Sequence, residues 1–189
     1  ARAIYGNWRG LLAARLRHLF NRNSRAGSKR NIMAHYDLGN DFYRAWLDDT
    51  MSYSAALFSS TADTLEVAQV AKYRRILDRL HARPGERILE IGCGWGGFAA
   101  VANQRGLRLT GLTLSPAQLE CARQRVPEAD LRLQDYRDTR EKYDHIVSIE
   151  MFEAVGERWW PTYFATVKRA LQPGGRVVIQ TITIRDDLF

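Results

Sequence analysis

From Arg87 onward the chain alternates short apolar runs with amphipathic segments in strict order, and that alternation restricts the fold more than any other feature of the sequence. Runs at 87–91, 107–112, 130–134, 143–149 and 176–184 read as strands. Segments at about 97–105, 116–126 and 158–171 read as helices, the last closed by a turn at Pro173, Gly174 and Gly175. A helix between two strands carries the chain back to the starting end of the sheet, so strands joined in this way pair in parallel. The expected fold class is therefore α/β: a Rossmann-like, doubly wound, mainly parallel sheet. An earlier helix is expected to start at the capping residues of 59–64, to bury Leu65, Tyr73, Ile76, Leu77 and Leu80, and to stop at Arg83, Pro84 and Gly85.

With 189 residues, 46% of them hydrophobic, the chain can bury one good core beside an appendage. Residues 61–189 are read as that core and residues 1–60 as a helical arm, linker and aromatic lid. The net charge of +7 belongs to the arm, because Arg2, Arg9, Arg15, Arg17, Arg22, Arg25, Lys29 and Arg30 all precede the first acidic residue, Asp37. The remainder is about neutral, which argues against a nucleic-acid-binding surface. Within 6–20, Trp8, Leu11, Leu12, Leu16, Leu19 and Phe20 fall at helical spacing among Arg9, Arg15, Arg17 and His18. A basic amphipathic helix of this kind either docks on anionic lipid headgroups or packs on its own domain. Arg15 and Arg17 interrupt its apolar run, so it fits neither a signal peptide nor a membrane span, and a cytoplasmic location is expected. Cys93 and Cys121 lack metal-site spacing; neither a disulfide framework nor a metal centre is expected.

Residues 31–58 are dense in rings, with Tyr36, Phe42, Tyr43, Trp46, Tyr53 and Phe58, and such a segment is expected to bury them. The stretch R-I-L-E-I-G-C-G-W-G-G-F, residues 87–98, is an apolar strand that runs into a glycine turn and then a helix. Gly92, Gly94 and Gly96 let a cofactor lie against bare backbone at the helix start. Nicotinamide enzymes share that geometry. Glu90, however, stands where a carboxylate repels a pyrophosphate but accepts hydrogen bonds from a cationic amino-acid group. The end of the second strand, 110–115, carries no acid for a ribose. Both features favour S-adenosylmethionine over NAD. After the third strand, Asp135 is either an acceptor for the adenine amine, with Tyr136 flanking the ring, or an ordinary turn cap.

Four blocks in order carry a resemblance: H-Y-D-L-G-N-D-F-Y-R-A-W-L-D-D-T-M-S-Y-S at 35–54, L-E-I-G-C-G-W-G-G at 89–97, G-L-T-L-S-P-A-Q at 111–118 and M-F-E-A-V-G at 151–156. The chain resembles the cyclopropane-fatty-acyl-phospholipid synthases and mycolic acid methyltransferases from about Asn31 to its last residue. The resemblance implies a class I methyltransferase fold that binds S-adenosylmethionine through Tyr53, Ser54, Gly92, Gly94, Thr113, Leu114 and Gln118. It also implies methylation of the cis double bond of an acyl chain in a phospholipid. The resulting carbocation must be kept from water and is suited by ring faces such as Tyr36, Tyr43, Trp46 and Phe58. The family removes a proton with bound bicarbonate, held partly by the Glu of M-F-E-x-x-G, here Glu153; Glu150 is its neighbour, but the motif singles out Glu153. The alternative for Glu153 is a helix cap.

This chain departs from the family at Ala55, where a Cys is usual, and at Gln180, where a His precedes Thr181 and Ile182. The base site implied by the resemblance is thus Glu153, Gln180 and Ile182, in altered form, and a methylene or methyl-branched product stands beside the cyclopropane. The family's sheet has two more strands after 184, so a C-terminally truncated sheet with an exposed edge, poor solubility and little activity is expected. The expected partners are unsaturated phospholipid acyl chains, an anionic membrane surface met peripherally by residues 6–30, and a second copy of the chain in a homodimer. Two readings compete with lipid methylation: a methyltransferase for a small soluble acceptor, and a lipid- or nucleic-acid-binding module with a vestigial core.

Overall fold

The computed structural model describes residues 39–185. The basic helix and linker expected at 6–28, and Tyr36, lie outside the described residues.

Five strands form one sheet: β1 (Arg87–Ile91), β2 (Arg108–Thr113), β3 (Asp130–Leu133), β4 (Tyr143–Ile149) and β5 (Leu171–Gln180). All pairings are parallel, in the order β3-β2-β1-β4-β5. The inner strands are buried on both faces, as a parallel sheet between two helical layers requires. One layer holds α2 (Leu65–Leu80), α3 (Gly97–Gln104) and α4 (Pro116–Arg125), whose residues Leu77, Leu80, Phe98 and Ala122 pack with Ile88 and Leu109. The other holds α5 (Trp160–Ala170), where Tyr163 and Val167 pack with Leu89, Leu112 and Ile146. Each fully buried Leu or Ile contributes roughly 1.5–3 kcal/mol. Successive crossovers leave β1 in opposite directions, so the carboxyl ends of β1 and β4 part and open a crevice.

Helix α2 starts as its sequence dictates, with Thr64 Oγ1 accepting from the Val67 N–H at 3.3 Å. It stops at His81, whose φ of +55° turns the chain out of the helix. Leu65, expected in the buried face, is instead exposed and borders the cavity described below.

The last strand departs most from the sequence reading. Strand β5 begins at Leu171, opposite Tyr143, and Arg176 then stands opposite His145. Pro173, Gly174 and Gly175 are thus absorbed as a bulge within the strand rather than forming a turn before it. Gly174 has φ +80°, and a Cβ on Gly175 would run into the Asp144 carbonyl oxygen. The strand ends at Gln180 instead of 184, because Thr181 and Ile182 leave the ladder to bond Glu153.

Helix α1 (Asn40–Arg44) opens the aromatic segment. Among the described rings of the segment only Tyr43 is buried, packed with Met51 and Trp95. Phe42, Trp46, Tyr53 and Phe58 stay between 45% and 54% exposed, which corrects the expectation that the segment buries its rings.

Candidate functional site

The crevice at the carboxyl edge of the sheet widens into a cavity of about 860 Å³. Its walls come from the turns after β1 and β2, the loops after β3 and β4, and residues 46–55.

The turn after β1 is made by three glycines at positive φ: +89° at Gly92, +51° at Gly94 and +84° at Gly96. This path lets the N–H groups of Gly92 and Cys93 both reach the Leu112 carbonyl at 2.9 Å. A Cβ on Gly92 would crowd Met151 Cγ at 2.9 Å, whereas one on Gly94 would meet nothing within 4 Å. Gly92 and Gly94 line the cavity, but Gly96 does not. Gly96 caps α3, and a Cβ there would stand 3.2 Å from Ala122 Cβ. Gly96 thus serves close packing of α3 against α4.

Glu90 is 2% exposed, and its Oε2 has no hydrogen-bond partner. Burial lifts its carboxyl to about 8, against the pull of Lys72. Lys72 on α2 is itself buried, and burial lowers it to about 8, opposed by the charges of Glu150, Asp48 and Glu90. Its Nζ donates to Ser54 Oγ at 2.6 Å and to Gln69 Oε1. Gln69 Nε2 donates to the Ser54 carbonyl at 2.8 Å. Two polar residues on the buried face of α2 thus hold both oxygens of Ser54. Nearby, Ser52 Oγ pairs with the Tyr73 hydroxyl at 2.6 Å and with Thr50 Oγ1, which donates to Asp48 Oδ2 at 2.6 Å.

After β2, Thr113 Oγ1 donates to Gln118 Oε1 at 2.9 Å, and Ser115 caps α4. Among the described residues the Gln118 amide nitrogen has no partner. Leu114 borders the cavity beside them. After β3, Asp135 caps a short 3-10 turn and accepts from the Arg137 guanidinium, with Nε at 2.8 Å. Asp135 is therefore a turn cap that also lines the cavity, next to Tyr136, whose phenol burial pushes up.

After β4, Glu150 takes the left-handed conformation at φ +48°. Its Oε1 accepts from the Ala55 N–H at 2.9 Å and from Gln180 Nε2 at 2.8 Å. Glu153 Oε1 accepts from Thr181 Oγ1 at 2.8 Å and from the Ile182 N–H. Glu150, Glu153 and Ile182 line the cavity; Gln180 does not, and acts on it through Glu150 and through the Ala55 carbonyl, to which its Nε2 donates at 3.2 Å. Tyr43 does not line it either, being covered within the cluster with Trp95. Neither does Phe58. The rings that border the cavity are Trp46, Tyr53, Tyr73, Trp95, Phe98, Tyr136 and Trp159.

These residues fit S-adenosylmethionine: an orphaned buried carboxylate oxygen at Glu90 suits a cationic head, an unpartnered amide suits a polar edge, and Gly94 leaves room against the backbone. They do not fit the expected bicarbonate, since the two donors meant for it, Ala55 N–H and Gln180 Nε2, already converge on Glu150. Among the described residues no three His, Cys, Asp or Glu side chains gather to hold a metal. The sequence reading missed Lys72, Gln69, Ser52, Trp95 and the clamp on Glu150. One signal was available: Gln69 and Lys72, three apart, interrupt the apolar face that Tyr73, Ile76 and Leu80 define.

The mycolic acid cyclopropane synthetase family matches residues 23–188. Tuberculostearic acid methyltransferase UfaA1 of Mycobacterium tuberculosis is 44% identical over 175 residues, 86% of this chain and 41% of the relative. Cyclopropane-fatty-acyl-phospholipid synthase of Escherichia coli K12 is 44% identical over 167 residues, 87% of this chain and 44% of that enzyme. The crystal structure of mycolic acid cyclopropane synthase CmaA1, complexed with SAH and CTAB, superposes with a TM-score of 0.75 at 34% identity, covering 80% of this chain and 55% of its own. The chain spans about two fifths of the length of these curated relatives.

Proposed function

This chain belongs to the mycolic acid cyclopropane synthetase family, and from that premise we propose that it is the S-adenosylmethionine-binding part of an enzyme that methylates the cis double bond of phospholipid acyl chains. The observation that carries the reading is the buried, unpartnered Glu90 oxygen beside the open backbone of Gly94. When bound, the cofactor supplies an electrophilic methyl group on a positive sulfonium. Glu90 and Gln118 hold its polar groups, Gly92 and Gly94 admit it, Thr113 and Leu114 flank it, and Tyr136 and Asp135 border its adenine. Tyr53 and Ser54, fixed by Lys72 and Gln69, close over it.

An alkene is a weak nucleophile, and its methylation leaves a carbocation that water would trap. Trp46, Tyr53 and Trp159 give the cavity aromatic walls that exclude water and face a cation without attacking it, at about 0.5–2 kcal/mol per well-placed ring. Loss of a proton then yields the cyclopropane. The Ala55 and Gln180 donors that bicarbonate would need are engaged by Glu150. Residues 1–60 serve as arm and lid, with 6–30 docking on the anionic inner face of the membrane from the cytoplasm.

Methyl-branched or methylene product formation by the same transfer is a second reading. It is favoured by the changed base site at Ala55 and Gln180, and by the similarity to a tuberculostearic acid methyltransferase. The test is to give the full-length protein labelled S-adenosylmethionine and unsaturated phospholipid vesicles and to read the lipid by mass and NMR. A cyclopropane ring is expected. A methylene branch would select the second reading, and an unlabelled lipid would overturn both.

A further inference from the structure

We infer that the Glu150 carboxylate, rather than a bound anion, takes the proton that leaves the methylated acyl chain. The inference rests on the function proposed above and supplies its base. The donors expected to cradle bicarbonate, the Ala55 N–H and the Gln180 side-chain amide, both end on Glu150 Oε1, at 2.9 and 2.8 Å. A second anion would have to displace a carboxylate already in place and would be repelled by it. Glu150 also holds φ +48°, a conformation that residues other than glycine rarely adopt and that tends to mark functional positions.

Glu150 lines the cavity, and among the described residues both of its side-chain hydrogen bonds fall on Oε1, leaving Oε2 without a partner. One oxygen is pinned while the other is left to accept a proton. Glu153 also lines the cavity, with its Oε1 engaged by Thr181 and Ile182 at the end of β5; what sets Glu150 apart is that it occupies the donors expected for the anion. In the step itself, a C–H bond of the newly added methyl group breaks and its proton goes to Glu150 Oε2. The electron pair of that bond closes onto the cationic carbon as the third side of the ring. After a hydride shift along the chain, the same pair instead forms the double bond of a methylene branch. Neither path consumes an oxidant or a reductant.

The test uses the full-length protein, methyl-labelled S-adenosylmethionine and unsaturated phospholipid vesicles, in buffer stripped of carbonate and again with bicarbonate restored. Wild-type turnover should be the same in both. Glu150→Gln should lower product formation about a hundredfold or more, with calorimetric affinity for S-adenosylmethionine retained as proof of a folded site. Glu150→Gly relaxes the backbone and frees both donors, so its turnover should be low without bicarbonate and rise when bicarbonate is added. Wild-type turnover that collapses without carbonate, or a Glu150→Gln variant at the wild-type rate, would overturn the inference alone. A wild-type protein that labels no lipid under either condition would overturn the parent function and the inference together.

Discussion

Lys72 Nζ donates to Ser54 Oγ at 2.6 Å, joining the buried face of α2 to the segment that closes the cavity. Methionine has a similar shape and no charge. Lys72→Met therefore removes the bond without leaving a hole, and also removes the cost of burying an ammonium group. Global stability should change little or rise, while affinity for S-adenosylmethionine falls about tenfold, the lower end of a charge-assisted hydrogen bond. Amide exchange at 52–55 should quicken. Melting curves, calorimetry and exchange mass spectrometry check the three outcomes together.

Glu90 gives a pH dependence with a definite sign. Its folded value of about 8 lies above the usual 4.5, so its contribution to stability is full below pH 4.5 and is lost as pH rises through about 8. Lys72 is lowered from 10.5 to about 8, so its contribution is present above pH 10.5 and lost as pH falls through about 8. The ligand-free protein should be least stable near pH 8. Binding of the cationic cofactor should strengthen over the same rise from pH 5 to pH 8, because it needs the ionised carboxylate. Glu90→Gln should flatten the acid side of both profiles, stabilise the free protein and weaken binding roughly ten- to hundredfold. A binding profile that still climbs with pH in Glu90→Gln would remove Glu90 from this role.

Gly94 and Gly96 should separate binding from folding. A methyl group on Gly94 enters open space beside the cavity, so Gly94→Ala costs only the positive-φ penalty, about 1–2 kcal/mol, yet obstructs the cofactor. Gly96→Ala adds a contact with Ala122 to the same penalty and should lower the melting temperature further. Equal losses of affinity at equal stability would contradict the division.

Tyr73→Phe removes one end of the buried chain of hydroxyls that runs through Ser52 and Thr50 to Asp48. Leaving Ser52 short of a partner should destabilise the protein by about 1–3 kcal/mol in denaturant unfolding.

The strands β1 and β4 were legible to the residue, because each carries buried aliphatic side chains between charged or glycine flanks. The glycine turn was legible because its geometry admits few other residues. Strand β5 was not, since Pro173-Gly174-Gly175 carries the same signal whether the chain turns or bulges. Lys72 escaped because a lysine on a helix is ordinarily read as solvated. Glu150 escaped because its meaning lies in partners 95 and 30 positions away.

The pairing of β1 with β4 sets Glu90 level with Val147, three residues short of Glu150. At about 3.3 Å of rise per residue and about 4.8 Å between strands, the two acids are spaced on the order of 10 Å by backbone ladder. The sheet therefore acts as a gauge of fixed length between two carboxylates that both line the cavity. Loop changes can reshape the walls around them, but only a slip of one strand against the other can reset that spacing.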